Sequence, residues 1–588
     1  MSTRFREIVA ISTPALLLGA FLLWSNLRRS KGAVSKASAQ ENESEEVSTK
    51  ILPRFRVFFG SQTGTSESFA NDLVAEAVSD FGFECIEAVS VEMFTPSVVE
   101  EGANLIFLLS TYGEGDPSDD AIQFNEWLKT SSIDLTGVSY AIFGLGNKQY
   151  AHYNEMGKRT DKGFQQLGAS RICPTGFGDD NVDIEQDWED WKKVFWQYFM
   201  EKNNLIRNQV IRNPMDKILL NIHISSKRSQ LPFDATVTQG GTDLVSKFFF
   251  GSNIVPVISK LDLCIGKVQL DLDISKVPSL KYRTGDVLDV LPLNRVEDVE
   301  WVLNEYGLNG TDMMTFTRKK NCGKITVKKP FPTPCSVHTL VSRYLDLSGI
   351  PSRSFLREIA ILTNQNESNF VDTYKSSSTI SVLKNVTIEF PTLIQLIGKQ
   401  KSRAYSICSS PSVDKKNISL LVSKLDDLAL ASSWLVDRVV PKDSNSLLHV
   451  SLRPGVFRLP PLPLQPVIMI CVGTGFAPFR AFLAELQGST RRAALFFGCR
   501  NKEEWIYEKE MTEFHGEFFL ATSREGGKEY VQDLVKEQIE LVKQLMALNG
   551  VIYVCGSTGM GLGVMKTLQK YFDMDQLKER KKYIEEVW

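Results

Sequence analysis

The sequence predicts a multidomain α/β protein, and three stretches predict it. Val57-Phe58-Phe59 is a short apolar run that ends in Gly60-Ser61-Gln62-Thr63-Gly64-Thr65. After it, Phe69, Ala70, Leu73, Val74 and Ala77 fall at helical spacing. Val467 to Cys471 is a second core strand, turned into a helix by Gly473-Thr474-Gly475-Phe476-Ala477-Pro478. Between them, Ile218 to Ile224 and Val268 to Ile274 alternate as antiparallel strands do. Strand–loop–helix units at both ends imply parallel sheets, and the alternation implies a β-rich middle.

The 588 residues leave room for three or four domains at ~150 residues each. A net charge of −3 gives no basic footprint, so nucleic acid is not an expected partner. Nine scattered cysteines and five histidines fit a reducing compartment and supply no metal-ligand cluster.

Taken in order, the chain begins with Ile8 to Trp24, almost wholly apolar and near the lower length limit for a membrane helix, ~17 residues. Leu27-Arg28-Arg29-Ser30-Lys31 follows, a charge pattern that keeps the downstream chain in the cytoplasm. The expectation is an uncleaved anchor over 1–27, against the alternative of a cleaved signal peptide. A polar tether over 28–52 has no apolar period.

The first folded domain is expected over 53–200. The loop Ser61 to Thr65 offers backbone N–H groups, hydroxyls and a helix amino end, with no lysine after the glycine. That set suits a phosphate held by hydrogen bonds; an ordinary helix cap is the plainer alternative. Further strands over Ala103 to Leu109 and Tyr140 to Phe143, and the segment Arg171 to Cys173, lead into three more glycine-rich loops. These carry Thr111, Tyr112, Gly113 and Gly115; Leu145, Gly146, Asn147 and Tyr150; and Asp179 with Asp180. In a doubly wound sheet all four loops meet beyond the carboxyl ends of the strands. Two tyrosines beside a phosphate cradle suit a flat ring. From Asp179 to Asp190 seven carboxylates occur without a Lys or Arg, a solvated face or a docking surface for a basic partner.

On these loops the chain resembles the flavodoxin domain of the diflavin reductase family, from Gly60 to about Trp196. The resemblance implies FMN, with its phosphate on Ser61 to Thr65, its ring between Tyr112 and Tyr150, and Asp180 near the ring's rim.

A polar hinge is expected over 201–215, then an FAD-binding domain over 216–462 with a connecting insert at about 290–395. Tyr282 to Leu288 resembles the start of a ferredoxin-reductase-type FAD barrel, and Arg453 to Pro460 its end. Val296 to Tyr306 and Thr339 to Ala360 read as helices, and Asn364 to Ser378 as a loop. Arg403-Ala404-Tyr405-Ser406 matches the family's Arg-x-Tyr-Ser motif. By that match Arg403 meets the FAD pyrophosphate, Tyr405 covers a flavin face and Ser406 lies near flavin N5. Ala429 and Ala431, followed by Ser432, stand where the family has a Gly-x-Cys-Thr pyrophosphate turn.

A Rossmann-like lobe is expected over 463–588. Gly473 and Thr474 open a turn whose full motif resembles the NADP lobe of ferredoxin reductases. Ser523, Arg524, Lys528, Tyr530 and Gln532 suit the extra phosphate and adenine of NADPH, where an NAD site would place an acid. By the resemblance, Cys555 lies beside the nicotinamide, Trp588 stacks on the FAD ring, and Glu586 takes the place of an acid near Ser406. Ser557 replaces the family's acid, and Gly559, Gly561 and Gly563 make the helix after it unusual.

The whole order resembles that of the membrane-anchored diflavin reductases, and the resemblance implies an endoplasmic-reticulum-anchored, single-pass NADPH-dependent reductase that serves haem proteins of the cytochrome P-450 type. Two other readings stay open: a diflavin reductase for iron–sulfur assembly or another non-haem acceptor, and a flavodoxin-like binding protein with a degenerate reductase half.

Overall fold

The computed structural model divides at Leu52, with Pro53–Trp588 as its larger, compact unit. It describes residues 52–588 except 54, 62–63, 84–85, 87, 97–98, 100–102, 113–114, 149–151, 181–182, 207–219, 227–252, 320–330, 332–333, 427–428 and 444–445. The expected anchor and tether therefore lie almost wholly outside the described residues. Among the described residues no helix is long and apolar enough to cross a membrane.

Among the described residues the larger unit holds four sheets. The first is parallel, with strands β1 (Phe55–Gly60), β2 (Ala88–Ser90), β3 (Asn104–Tyr112), β5 (Ser139–Gly146) and β6 (Ser170–Arg171) in the order β2-β1-β3-β5-β6. The short β4 (Asp116–Pro117) runs antiparallel on β3, and β7 (Gly176–Asp179) is parallel to β5. Register aligns the strand ends: Gly60 faces Leu109, Leu109 faces Gly144, and Gly146 faces Asp179. All the carboxyl-end loops therefore open on one rim. The strand interiors are apolar on both faces because helices cover both. Phe58, Phe107 and Phe124 pack on one side; on the other, Phe69 stacks on Trp188 at 5.1 Å.

The helix after the first loop, α1 (Thr65–Phe81), buries Phe69, Ala70, Leu73 and Ala77. The last helix of this part, α2 (Ile184–Asn203), buries Trp188, Trp191, Phe195, Trp196 and Phe199. It runs three residues into the stretch read as a hinge, because Phe199 still has core to fill; most of that stretch lies outside the described residues.

The second sheet is antiparallel: β14 (Arg403–Ser406), β11 (Val287–Leu291), β16 (Leu447–Arg453), β9 (Asn253–Cys264), β10 (Lys267–Asp273) and β15 (Asn417–Ser423), in that order. Ile407 bridges Leu420, which joins the two edge strands into a barrel. Its two ends cross where only glycine fits. Gly285 has φ +83° and a Cβ there would lie 2.0 Å from the Phe457 carbonyl oxygen; at Gly455 it would lie 1.9 Å from that of Gly285.

The insert is helical around a third, three-stranded sheet, β13 (Cys335–Ser336), β12 (Met313–Arg318) and β8 (Leu220–Ser225). β8 is antiparallel as its alternation predicts, yet it pairs with β12 of the insert instead of the barrel. Two other expectations change here. The helix expected over Thr339 to Ala360 ends at Tyr344, where Leu345 turns extended and bridges Lys399, and helix resumes only as α3 (Arg353–Leu362), with Ser352 as its cap. The expected loop Asn364 to Ser378 contains a helix, Glu367–Tyr374, which buries Phe370 and Val371; two apolar residues were too few to show a period.

The fourth sheet is parallel, ordered β19 (Glu517–Thr522), β18 (Ala493–Cys499), β17 (Val467–Val472), β20 (Val551–Gly556) and β21 (Tyr583–Val587). Its edge strand is nearly the chain's end. Trp588 follows it and is held by backbone: its N–H donates to the Gly556 carbonyl at 3.1 Å and its carbonyl accepts from Thr558. A terminal residue that would otherwise fray is tied to the sheet.

Candidate active site

One cleft of about 870 Å³ runs between the rim of the first sheet, the mouth of the barrel and the end of the chain. Ser61, Thr65, Thr111, Leu145, Gly146, Asn147 and Asp180 line it from the first side. Arg403, Tyr405, Ser406, Ala431, Ser432, Thr474, Glu586 and Trp588 line it from the other. Most of the expected ring- and phosphate-binding residues, 342 residues apart at Ser61 and Arg403, thus face a common space.

On the first side, Gly64 adopts φ +91° and its N–H donates to the Ser61 Oγ at 2.9 Å, which curls the loop ahead of α1. Ser66 follows inside the helix. It is fully buried and lines the cleft, and its Oγ has no hydrogen-bond partner among the described residues. A buried hydroxyl without a partner at a helix amino end is a donor that fits a phosphate oxygen. Gln62, Thr63, Gly113 and Tyr150 lie outside the described residues, and so does the side chain of Tyr112. The Thr111 hydroxyl accepts the Met156 N–H at 3.1 Å and so also serves the fold. Asp180 is exposed on the rim, its N–H bonded to the Gly146 carbonyl at 2.8 Å. Gly115 takes φ +90°, and a Cβ there would come within 2.8 Å of His152.

Besides Ser66, sequence reasoning missed His152, Tyr153 and Asn154, which also line the cleft. Asn154 is left-handed at φ 56°, fully buried, and donates through Nδ2 to the Gly178 carbonyl at 3.1 Å. Its Oδ1 has no partner among the described residues. The only signal available was its place after the Tyr150 loop, since asparagine tolerates that backbone.

The acidic run is reapportioned. Asp183 caps α2 through the Gln186 N–H and also accepts from the Arg353 guanidinium. Glu185 accepts the Arg353 N–H at 2.7 Å, and Glu189 pairs with Arg357 at 2.8 Å. Asp187 accepts the Asp179 N–H at 2.8 Å. Asp183, Glu185 and Glu189 thus face arginines of α3, which the one-dimensional charge pattern could not reveal. Asp180 and Asp190 stay exposed.

On the barrel side, Tyr405 is largely enclosed, and burial pushes its hydroxyl up to about 12. The Arg403 guanidinium is exposed and donates to the Lys401 and Ser402 carbonyls at 3.0 and 3.3 Å. The stretch with Ala429 and Ala431 still makes a helical turn, Leu430–Ser433, whose Ser432 Oγ accepts the Leu425 N–H at 3.3 Å.

The residues expected around the nicotinamide lie close together. Parallel pairing of β20 with β21 sets Cys555 opposite Glu586, and pairing with β17 sets it opposite Cys471. The Ser406 hydroxyl donates to the Glu586 Oε2 at 3.3 Å across 180 residues. Burial lifts the Glu586 carboxyl above its ordinary range, against the Ser406 bond and the Arg453 charge. Burial also lifts the Cys555 thiol well above its own. Trp588 is 56% exposed.

In the last lobe, a Cβ on Gly475 would lie 2.2 Å from the Cys555 carbonyl oxygen, so the glycine turn presses on the strand that carries the thiol. Helix α4 (Ala477–Leu486) follows, with proline in its first turn. Ser523 and Arg524 are tied by their N–H groups to the Cys499 and Arg500 carbonyls. Lys528 and Tyr530 are exposed just before α5 (Val531–Glu537), and Gln532 lies within it. All five follow the edge strand β19; Arg524, Lys528 and Tyr530 are exposed, and Ser523 and Gln532 are half-buried. Two of the three glycines of α6 (Thr558–Leu568) have close neighbours, while Gly559 faces open space. A Cβ on Gly561 would lie 2.7 Å from Val587, and one on Gly563 would lie 3.2 Å from Gln532. Ser557 caps that helix through the Met560 N–H at 3.4 Å, a job an acid also does.

Comparison with known proteins agrees with this arrangement. Family models described as flavodoxin, FAD binding domain and oxidoreductase NAD-binding domain match residues 57–191, 267–426 and 469–566. The NADPH–cytochrome P450 reductase of Sus scrofa is 30% identical over 92% of this chain and 88% of its own length. That of Mus musculus is also 30% identical, with the same two coverages. The Homo sapiens protein is 29% identical, again at 92% and 88%. The chain belongs to the NADPH–cytochrome P450 reductase family. It is accordingly an NADPH-dependent diflavin oxidoreductase, with FMN, FAD and NADPH as its cofactors. For a family of this chemistry, the orphaned Ser66 hydroxyl and the two-sided cleft fit flavins on both walls, and the Gly475 turn fits a pyrophosphate.

Proposed function

We propose that the protein is anchored in the endoplasmic reticulum membrane through residues 8–24. Its folded part then faces the cytoplasm and passes electrons from NADPH through FAD and FMN to a haem protein of the cytochrome P-450 type. The single observation that carries the electron path is the shared cleft, because two flavin sites on facing walls need no long-range relay. The flavins, when bound, supply the exchange between a two-electron hydride donor and a one-electron acceptor.

The chain's residues bind and align. Ser61 to Thr65 and Ser66 hold the FMN phosphate, and Tyr112 and Tyr150 flank its ring. Arg403 neutralises the FAD pyrophosphate, Ala431 and Ser432 offer the turn beside it, and Tyr405 covers a flavin face. Gly473 and Thr474 seat the NADPH pyrophosphate, while Ser523, Arg524, Lys528, Tyr530 and Gln532 read its 2′-phosphate and adenine. Ser406, Cys555 and Glu586 surround the point of hydride transfer. The Ser406 hydroxyl can turn between Glu586 and the flavin edge, and Glu586 can hold a proton there. Trp588 closes the cleft and moves aside for nicotinamide. No strong base is required, because hydride leaves as a unit.

Capture from the protein's own membranes, followed by haem spectroscopy of what is retained under NADPH, tests the acceptor. A P-450-type haem reduced only through this chain is the expected result. Retention of non-haem iron proteins alone would overturn it and favour the iron–sulfur reading.

A further inference from the structure

At the mouth of the barrel, neighbouring strands set one row of side chains on the cleft. Val287 of β11 pairs with Ser406 of β14 on one side and with Arg453 of β16 on the other. Directly paired residues of antiparallel strands share a face, and all three line the cleft. Leu288, Val290 and Val450 take the opposite face and fill the barrel core. Strand alternation returns Asp289 to the cleft face, where its partner Ala404 also lines the cleft. Asp289 holds Arg453 with both oxygens: Nε donates to Oδ2 at 3.1 Å and Nη2 to Oδ1 at 3.2 Å. Such a two-point pair fixes the plane of the guanidinium as well as its place. The Arg453 side chain is 11% exposed, whereas Arg403, the other arginine lining the cleft among the described residues, lies open. The row ends at Glu586, which accepts the Ser406 hydroxyl and lies within reach of the Arg453 charge.

Hydride carries two electrons and one proton. Its transfer turns NADPH into NADP+ and leaves the flavin ring with one more negative charge. A fixed guanidinium on the same wall favours the ring after transfer over the ring before it. A carboxylate bonded to that guanidinium cancels part of the effect. We propose that Arg453 stabilises the reduced FAD ring by its charge, and that Asp289 is a positioning residue that aims the guanidinium and limits its pull. The pair thereby sets how readily FAD accepts hydride and how readily it yields electrons to FMN. The inference rests on the reading that the FAD ring lies against Ser406 and Glu586.

The test is a redox titration of the full chain with both flavins bound, followed by absorbance, with the FMN couple as internal reference. Wild type, Arg453→Gln, Arg453→Lys and Asp289→Asn are compared. Arg453→Gln should disfavour reduced FAD about tenfold, a fall of about 30 mV for a two-electron couple. Asp289→Asn should shift the FAD couple the opposite way, because the guanidinium loses its counter-charge. Arg453→Lys keeps the charge and should stay nearer to wild type than Arg453→Gln does. A pair that merely holds the barrel together would give shifts of one sign, or none, in the Gln and Asn variants, and either result overturns the proposal. An equal shift of the FMN couple overturns it too. Should Arg453→Gln lose its FAD, Asp289→Asn decides alone, and an unchanged or lowered FAD potential there is fatal. Ser406→Ala tests the reading beneath, through the rate at which NADPH bleaches FAD in a single turnover. If that rate falls while the potentials stay put, only the role of Arg453 and Asp289 fails; if neither changes, the placement of the ring fails with it.

Discussion

Glu586 shows how a single residue's chemistry depends on where the fold puts it. In the sequence it is one of two acids before a terminal valine and tryptophan. In the structure it is enclosed, bonded to Ser406, and pushed toward its neutral form. Its folded titration lies above the unfolded one, so the stability it contributes is full at low pH and is lost as pH rises through the folded value. Glu586→Gln keeps the neutral shape and removes that loss. The melting temperature of the variant relative to wild type should therefore rise between about pH 5 and about pH 8. A constant difference would mean that Glu586 ionises without cost. Trp588 carries the second residue-scale prediction. Removing its indole spares nicotinamide the work of displacing it, and the coenzyme with less binding energy to spend gains most. Trp588→Ala should raise the NADH rate relative to the NADPH rate about tenfold or more, measured under steady-state turnover; an unchanged ratio would remove its stacking role. Ser66 and Asn154 were not legible beforehand, because an orphaned buried atom exists only once neighbours are in place.

At the scale of elements, the glycine turns and the strands they end were readable because they act through local backbone. The run Val57 to Phe59 and the strand at Val467 had the composition of strands buried on both faces, and both are. Sequence reasoning failed where an element's partner lies far away. β8 alternates correctly but pairs with β12, nearly a hundred residues on. The helix at Glu367–Tyr374 is short, and its burial of Phe370 and Val371 is a tertiary event. Gly475 gives the sharpest prediction at this scale. Alanine there would place a methyl group 2.2 Å from a backbone carbonyl, which no side-chain shift relieves. Gly475→Ala should cost about 1–3 kcal/mol of stability, as overpacking does. It should also weaken NADPH binding, read by thermal unfolding and coenzyme titration. Retention of both would show that the turn can move away from β20.

Across the whole molecule, the first sheet and the insert are held together by charge. Arg353 and Arg357 of α3 meet Asp183, Glu185 and Glu189 of α2. A basic acceptor aimed at those carboxylates meets arginines already in place. Replacing both arginines by glutamine removes charge-assisted bonds worth about 1.5–3 kcal/mol each. Reduction of a small basic haem protein should then rise about twofold to fivefold at low ionic strength, as freed carboxylates steer it, and its salt dependence should steepen. An identical salt profile in the double variant would show that this acidic patch takes no part in docking.

By itself the sequence determined the succession of folding units and the phosphate-type loops, because these depend on strand periods and on glycines within a few residues of one another. The three cofactors followed from the resemblance that those motifs carry. Tertiary structure alone decided which side chains share a task. Ser406 reaches Glu586 across 180 residues, Arg353 donates to Glu185 across 168, and Asp120 braces Ser61 across 59. Such pairings depend on the path of the chain in three dimensions, and no period in one dimension encodes them.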